Sequence, residues 1–252
     1  VSGFRRLIGL VAFLLIWEAA GRSGLVAAGV LPPASEVLAR FFGLFADARF
    51  LPDAASTLLS WVIALVFAAV IAVPLGMLLG SIRPLRLVIG PVIEFLRPLP
   101  TVALIPLAIL VLGSGAQTKI SLAAFASTWP ILFNTVYAVG EIDRQLLETA
   151  RVFRTPPRRL FFSVILPAVA PFVLTGIRLS AAVALIVLVS TEFLTAQIGI
   201  GHFVYLYGTT QLQMDVVFAS IVFTGLIGYL VNMGLLGAQR RWLGWAAVGG
   251  AV

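Results

Sequence analysis

The sequence predicts an all-α integral membrane protein of six transmembrane helices with both termini on the cytoplasmic side. Three observations predict it. Of the 252 residues, 61% are hydrophobic and only 11% charged, at a mean hydropathy of +1.10; a soluble domain of this length carries more charge and alternates its apolar and polar residues. Several apolar runs reach the roughly 20 residues needed to cross about 30 Å of hydrocarbon, and in lipid each must be helical, because an isolated strand leaves its backbone groups unpaired. The arginines then fall between the runs in a pattern that sets one orientation.

In chain order the expected spans are about 7–20, 57–80, 87–112, 120–139, 164–191 and 216–238. Arg5 and Arg6 precede the first. Arg83 and Arg86 fill the turn between the second and third. Arg144, Arg151, Arg154, Arg158 and Arg159 lie between the fourth and fifth, and Arg240 and Arg241 follow the sixth. With six spans all four places share one side. The other side holds Arg22, Arg40, Arg49 and Lys119, offset by Glu36, Asp47 and Asp53. The excess of arginine marks the first side as cytoplasmic. The net charge of +7 is therefore read as membrane orientation and not as a nucleic-acid surface. Two arginines before a short apolar run also fit a cleaved signal peptide, but Trp17 and Glu18 make a poor cleavage region. The chain opens at Val1 without a methionine, as it would if a short piece preceded it.

Between the first two spans, segment 22–56 carries "LPPASEVLARFFGLF", an amphipathic piece expected along the outer surface with Ser35 as N-cap. Prolines 74, 91, 98, 100, 106, 130, 167 and 171 fall inside spans. Each removes a backbone donor and bends its helix. The cluster "RPLPTVALIP" predicts a broken helix, which at membrane depth is tolerated where it lines a cavity or packs on protein.

The charged segment from Arg144 to Pro167 is the most informative. Leu146, Ala150 and Phe153 fall on one helical face; Arg144, Glu148 and Arg151 fall on another with spacing that allows ion pairing. A short amphipathic helix over about 144–154 follows, with Thr155 capping a second helix whose first residue is Pro156. A basic loop that merely fixes topology would not need a central Glu148 or this length.

Here "ETARVFRTPPRRLFFSVILP" resembles the cytoplasmic signature loop of ABC importer permeases, whose pattern is Glu-Ala-Ala, three residues, Gly, nine residues, Ile-x-Leu-Pro. Glu148, Thr149 and Ala150 match its start; Val164, Leu166 and Pro167 match its end. Arg154 stands at the glycine position, so Thr155-Pro156-Pro157 is expected to supply the corner instead. "LPPASEVL", "PVIEFLRPLPTVALIPLAILVLG", "LPAVAPFVLTGIRLS" and "STEFLTAQIGIG" resemble the nitrate/sulfonate/taurine branch, in order along nearly the whole chain.

The resemblance implies the type I importer permease fold: one transmembrane domain over 1–252, with its core at about 57–241 and a coupling loop at about 144–163. It implies that Glu148, Thr149, Ala150, Arg151, Phe153 and Arg154 contact a cytoplasmic ATPase. It also implies a homodimer of the permease, two ATP-binding cassette subunits and an external solute-binding protein, in a bacterial inner membrane. The chain has no GxxxxGK[ST] phosphate loop, so ATP and Mg are expected on the partner, with no cofactor and no catalytic residue in this chain. A cysteine count of zero and a single histidine, His202, leave poor material for a metal site or an embedded enzyme.

For the translocation path the candidates are Glu94, Arg97, Asn134, Arg178 and Glu192. Charges at membrane depth are costly and usually face a cavity or each other. Arg97 or Arg178 could offer positive potential to an anion. Equally, Glu94 and Arg97 could pair to brace the broken helix, and the arginines could reach headgroups at the inner rim. Asn134 and Asn232 suit helix–helix hydrogen bonds. Glu192 is placed at the outer gate or the binding-protein contact. The rival from another class is an ion-coupled secondary transporter, which would show inverted repeats and intramembrane acids; no repeat is evident, and Glu94 is the one acid deep in a span.

Overall fold

The computed structural model describes residues 2–24, 29–195 and 198–242. Every regular element among them is helical. The α-helices are α1 (Ser2–Arg22), α2 (Ala34–Leu44), α3 (Phe50–Ser81), α4 (Arg83–Leu96), α5 (Ile105–Leu112), α6 (Ala116–Gly140), α7 (Arg144–Val152), α8 (Pro157–Leu160), α9 (Leu166–Thr195), α10 (Ile200–Tyr205) and α11 (Met214–Trp242), with a 3₁₀ turn at Thr101–Leu104 and π turns at Phe161–Ile165 and Leu206–Thr210. Within the motif at 190–201, Ala196 and Gln197 lie outside the described residues, as do 25–28 of the segment after α1 and the side chain of Arg6.

Four stretches are long and apolar enough to cross a membrane: Phe50–Ser81, Ala116–Gly140, Pro157–Thr195 and Met214–Arg241. The expected third span is a bent pair, Arg83–Leu96 and Thr101–Leu112, which meet at 78°. The reason is local. Pro98 and Pro100 cannot donate to the preceding turn, and a 3₁₀ turn at Thr101–Leu104 restarts the chain before α5. Helix α1 has the length of a span, but Arg5, Arg6 and Glu18 keep it outside this apolar class. Its assignment as the first of six spans therefore rests on the sequence pattern. Near the start of α9, the backbone widens into a π turn at Phe161–Ile165, just before Pro167, whose ring denies the carbonyl of Ser163 its helical donor.

The chain divides into two compact units, 1–58 with 189–227 and 59–188 with 228–252. The first is built on an aromatic core. Phe50 meets Phe223 at 4.8 Å and Phe203 at 5.2 Å between ring centroids, edge to face as ring quadrupoles prefer. Val37, Leu44, Ile200 and Val216 close around them. Ser35 does not cap α2, which begins one residue earlier. The capping carboxylate comes from Glu18 of α1, which accepts the Ser35 N–H and hydroxyl, both at 2.9 Å. At the surface Arg40 pairs with Asp215 at 3.2 Å. The Tyr207 hydroxyl donates to Asp47; burial first, then this bond, raises the phenol's pKa above its ordinary value.

The second unit packs through small residues. Gly76 and Gly80, one turn apart on α3, lie against Thr135 and Val139 of α6: a Cβ at either glycine would come within 2.6 Å of the facing Cβ. This close approach replaces the hydrophobic drive that helices lack in lipid. Leu79, Ile131 and Leu132 fill the space beside the seam. The Trp61 indole donates to the carbonyl of Ala181 at 2.9 Å.

Candidate functional site

The loop between α6 and α9 carries the first candidate site. Helix α7 begins at Asp143, whose carboxylate accepts the Gln145 N–H at 2.8 Å, an N-cap that satisfies one orphan donor of the first turn. It ends in a left-handed residue. Arg154 adopts φ 50°, its N–H donates to Arg151 O at 2.9 Å, and the Thr155 N–H reaches back to Ala150 O at 2.9 Å. This pair of bonds is the Schellman termination that usually takes glycine. The expectation that Thr155-Pro156-Pro157 would supply the corner is thus corrected: the turn stays at Arg154, and the arginine adopts the glycine conformation. Thr155 does not cap α8 either; Pro156 precedes it and Pro157 takes the first helical position.

The faces of α7 differ from the expected ones. Ala150 is buried against the body, whereas Phe153, beyond the last helical residue, is 78% exposed and Val152 80%. Leu146 and Phe153 border a 550 Å³ hollow with Ala150, Pro156 and Arg159. Gln145, Glu148, Thr149, Val152 and Phe153 line a second depression on the exposed side. Arg151 and Glu148 are solvent-facing, and no ion pair joins Glu148 to Arg144 or Arg151 among the described residues. With no internal partner, those charges are left for an outside surface. Val152 was missed because the facing pattern was carried through to 153 as if the helix continued.

The second candidate site lies on α4. Glu94 and Arg97 do not pair. The Arg97 guanidinium sits over the Phe133 ring at 4.5 Å, a cation–π contact that satisfies the charge without a carboxylate. Arg86, Gly90 and Glu94 fall one turn apart along α4 and border an open 210 Å³ hollow whose other side is Leu132, Phe133 and Val136 of α6. Arg86 was assigned only to topology; its four-residue spacing to Gly90 and Glu94 was the signal available. Asn134 donates to Pro130 O at 2.8 Å within α6. Arg178 is half-buried on α9 and makes no hydrogen bond or ion pair to another described residue.

Glu192 is 1% exposed. Its carboxylate accepts the Thr57 hydroxyl at 2.8 and 2.9 Å and the Gly201 N–H at 3.1 Å. Asp53 accepts the Gly199 N–H and Thr57 accepts the Ile200 N–H, both at 2.8 Å. Three successive amides are thus held by three side chains. Gly199, at φ 134°, cannot be replaced, because a Cβ would overlap the Glu192 carboxylate. No group of three or more His, Cys, Asp or Glu among the described residues could hold a metal.

Among the described residues every regular element is helical, and several membrane-length helices with one proline-broken pair are those of a multi-pass membrane protein. The chain belongs to the family of binding-protein-dependent transport system inner membrane components, whose pattern matches residues 72–243. It is 34% identical over 218 residues to a probable ABC transporter permease protein of Brucella melitensis, covering 86% of this chain and 87% of that one. It is 30% identical over 244 residues to the taurine transport system permease protein of Escherichia coli, covering 94% and 88%. To a putative aliphatic sulfonates transport permease protein of Bacillus subtilis it is 29% identical, covering 92% and 84%. In fold it is similar to an inward-facing structure of the MetNI methionine ABC transporter, with a TM-score of 0.67 at 20% identity, covering 77% of this chain and 95% of that one. The chain is therefore an ABC importer permease of the type I fold, a transport subunit and not an enzyme.

Proposed function

We propose that this permease carries a small organic or inorganic anion of the sulfonate, taurine or nitrate kind across a bacterial inner membrane, driven by ATP hydrolysis in a separate subunit. The observation that carries the coupling is α7: a capped helix whose Val152 and Phe153 stand out at 80% and 78% exposure beside unpaired Glu148 and Arg151. Exposed apolar anchors ringed by charges suit a docking surface, the anchors filling a pocket and the charges setting orientation. Glu148, Thr149, Arg151, Phe153 and Arg154 would meet the ATPase, with Ala150 seating the helix on the permease body. ATP and Mg are held by that partner. Two copies of this chain, two ATPases and an external solute-binding protein complete the assembly, with six spans and both termini cytoplasmic.

The names of the taurine and sulfonate relatives support the solute class, and Glu94, Arg97, Asn134, Arg178 and Glu192 remain the path candidates. For Glu192 the local bonds favour a role in holding the outer end together. The test is reconstitution with the cognate ATPase and binding protein. Uptake of the anion should require ATP, and Arg97→Ala should impair uptake more than basal ATP hydrolysis. Uptake driven by an ion gradient without ATP would favour a secondary transporter, and normal uptake in the variant would remove Arg97 from the path.

A further inference from the structure

Helix α2 carries a second apolar edge besides the one it buries. Its inward face, Ala34, Val37 and Leu44, is buried, and Phe41 packs on the aromatic core. Leu38, Phe42 and Phe45 stand outside that face and are exposed, Phe42 at 72%. At 100° per residue these three share one edge, and Glu36 and Arg40 fall on the edge opposite. Contacts with α11 give the two edges a depth. Arg40 pairs with Asp215 at 3.2 Å and donates to the Gln213 side chain at 3.2 Å, at the start of α11. Phe41 and Phe45 instead reach Phe223, at 6.3 and 5.9 Å between ring centroids. Phe223 lies eight residues beyond Asp215, about 12 Å further along the axis. Met214–Arg241 is long and apolar enough to cross a membrane. With Arg240 at the inner boundary, about 30 Å of hydrocarbon ends near residue 220 at about 1.5 Å per residue. Asp215 is then outside the hydrocarbon and Phe223 inside it. The chain also enters α2 beside an interfacial type of side chain: the Trp17 indole donates to Pro32 O at 3.1 Å.

We propose that α2 is a half-inserted interfacial helix and that its partner is the lipid of the outer leaflet. Leu38, Phe42 and Phe45 enter the acyl-chain region, while Glu36 and Arg40 stay at the headgroups. The three inserted side chains carry no hydrogen-bonding group, as acyl chains require. A helix resting on the outer surface in water would leave all three wet. The placement rests on the six-span orientation proposed above, which puts Met214 on the outer side.

The sequence contains no cysteine, so Phe42→Cys, Leu38→Cys and Glu36→Cys each take a single nitroxide label without background. The full chain is reconstituted in phosphatidylcholine vesicles. Spin relaxation is then read with oxygen, which concentrates in hydrocarbon, and with a polar nickel chelate, which hydrocarbon excludes. The oxygen-to-nickel collision ratio should be at least about fivefold higher at positions 42 and 38 than at 36, at a depth of about 5–10 Å. Equal ratios at the three positions would put the whole helix in water and overturn the proposal. Low collision with both reagents at 42 and 38 would mean that a second copy of the chain covers the edge, which overturns it as well. Orientation is read separately. A membrane-impermeant maleimide added to spheroplasts should label Glu36→Cys. Labelling only after the membrane is opened would overturn the outer-leaflet placement together with the six-span orientation, while the collision ratios judge the insertion itself.

Discussion

Thr57 stands between two partners: its hydroxyl donates to the Glu192 carboxylate at 2.8 Å while its oxygen accepts the Ile200 N–H at 2.8 Å. Thr57 is fully buried, so the two bonds cannot be replaced by bulk water. Thr57→Val keeps the shape and deletes both. It should destabilise the protein by about 2–4 kcal/mol, because each buried group left unsatisfied costs about 1–3 kcal/mol. Thermal unfolding in detergent reads this directly. A melting temperature unchanged by Thr57→Val would mean that the 199–201 corner is held by other contacts.

The left-handed Arg154 predicts a stabilising substitution. A side chain at positive φ costs about 1–2 kcal/mol, part of which glycine gives back through its freer unfolded state. Arg154→Gly should therefore gain up to about 1 kcal/mol and raise hydrogen-exchange protection at the Thr155 amide. Arg154→Val should lose at least as much, since a branched Cβ fits that conformation worst. Reversal of that order would show that the loop turns elsewhere.

Phe153→Ala combined with Glu148→Ala should weaken ATPase binding by about 2 kcal/mol, the scale of an interface anchor. Membrane insertion should be untouched, since both side chains are exposed. Val152→Ala should add to the loss, being on the same projecting edge. Unchanged copurification of the ATPase with the double variant would dismiss α7 as the coupling element.

The α3–α6 seam predicts a sharp asymmetry among glycines. Gly80→Leu drives a side chain into Val139 and should cost about 1–3 kcal/mol or more, as overpacking does. Gly225→Ala on α11 has open space around it and should be neutral or stabilising by about 0.5–1 kcal/mol through helix propensity. Unfolding of the two variants in parallel gives the comparison.

Much of this could be read in advance because lipid restricts the choices. Long apolar runs had to be helices, and "RPLPT" had to break one, since two prolines in three residues remove two donors. The family loop was legible because Glu148 and Pro167 sit at fixed separation. Contacts brought together by the fold were less legible. Glu94 and Arg97, three residues apart, looked like a pair, but a ring from α6 took the arginine. Ser35 looked like a cap, but Glu18, 17 residues earlier, supplied it. The capture of three amides at 199–201 joins residues up to 146 positions apart, which no local periodicity encodes. Asp143 before α7 is a cap legible from its residue type and place, ahead of the charges that follow.

Helix α3 is longer than a membrane crossing requires. Its 32 residues span about 48 Å at 1.5 Å each, against about 30 Å of hydrocarbon. Measured from Arg83 and Arg86 at one boundary, about 18 Å of an untilted helix extends beyond the opposite one, and tilt shortens that surplus. Asp53 and Thr57 lie on that surplus. Their carboxylate and hydroxyl therefore act at headgroup level or above, where a polar knot is shielded by protein without being immersed in oil.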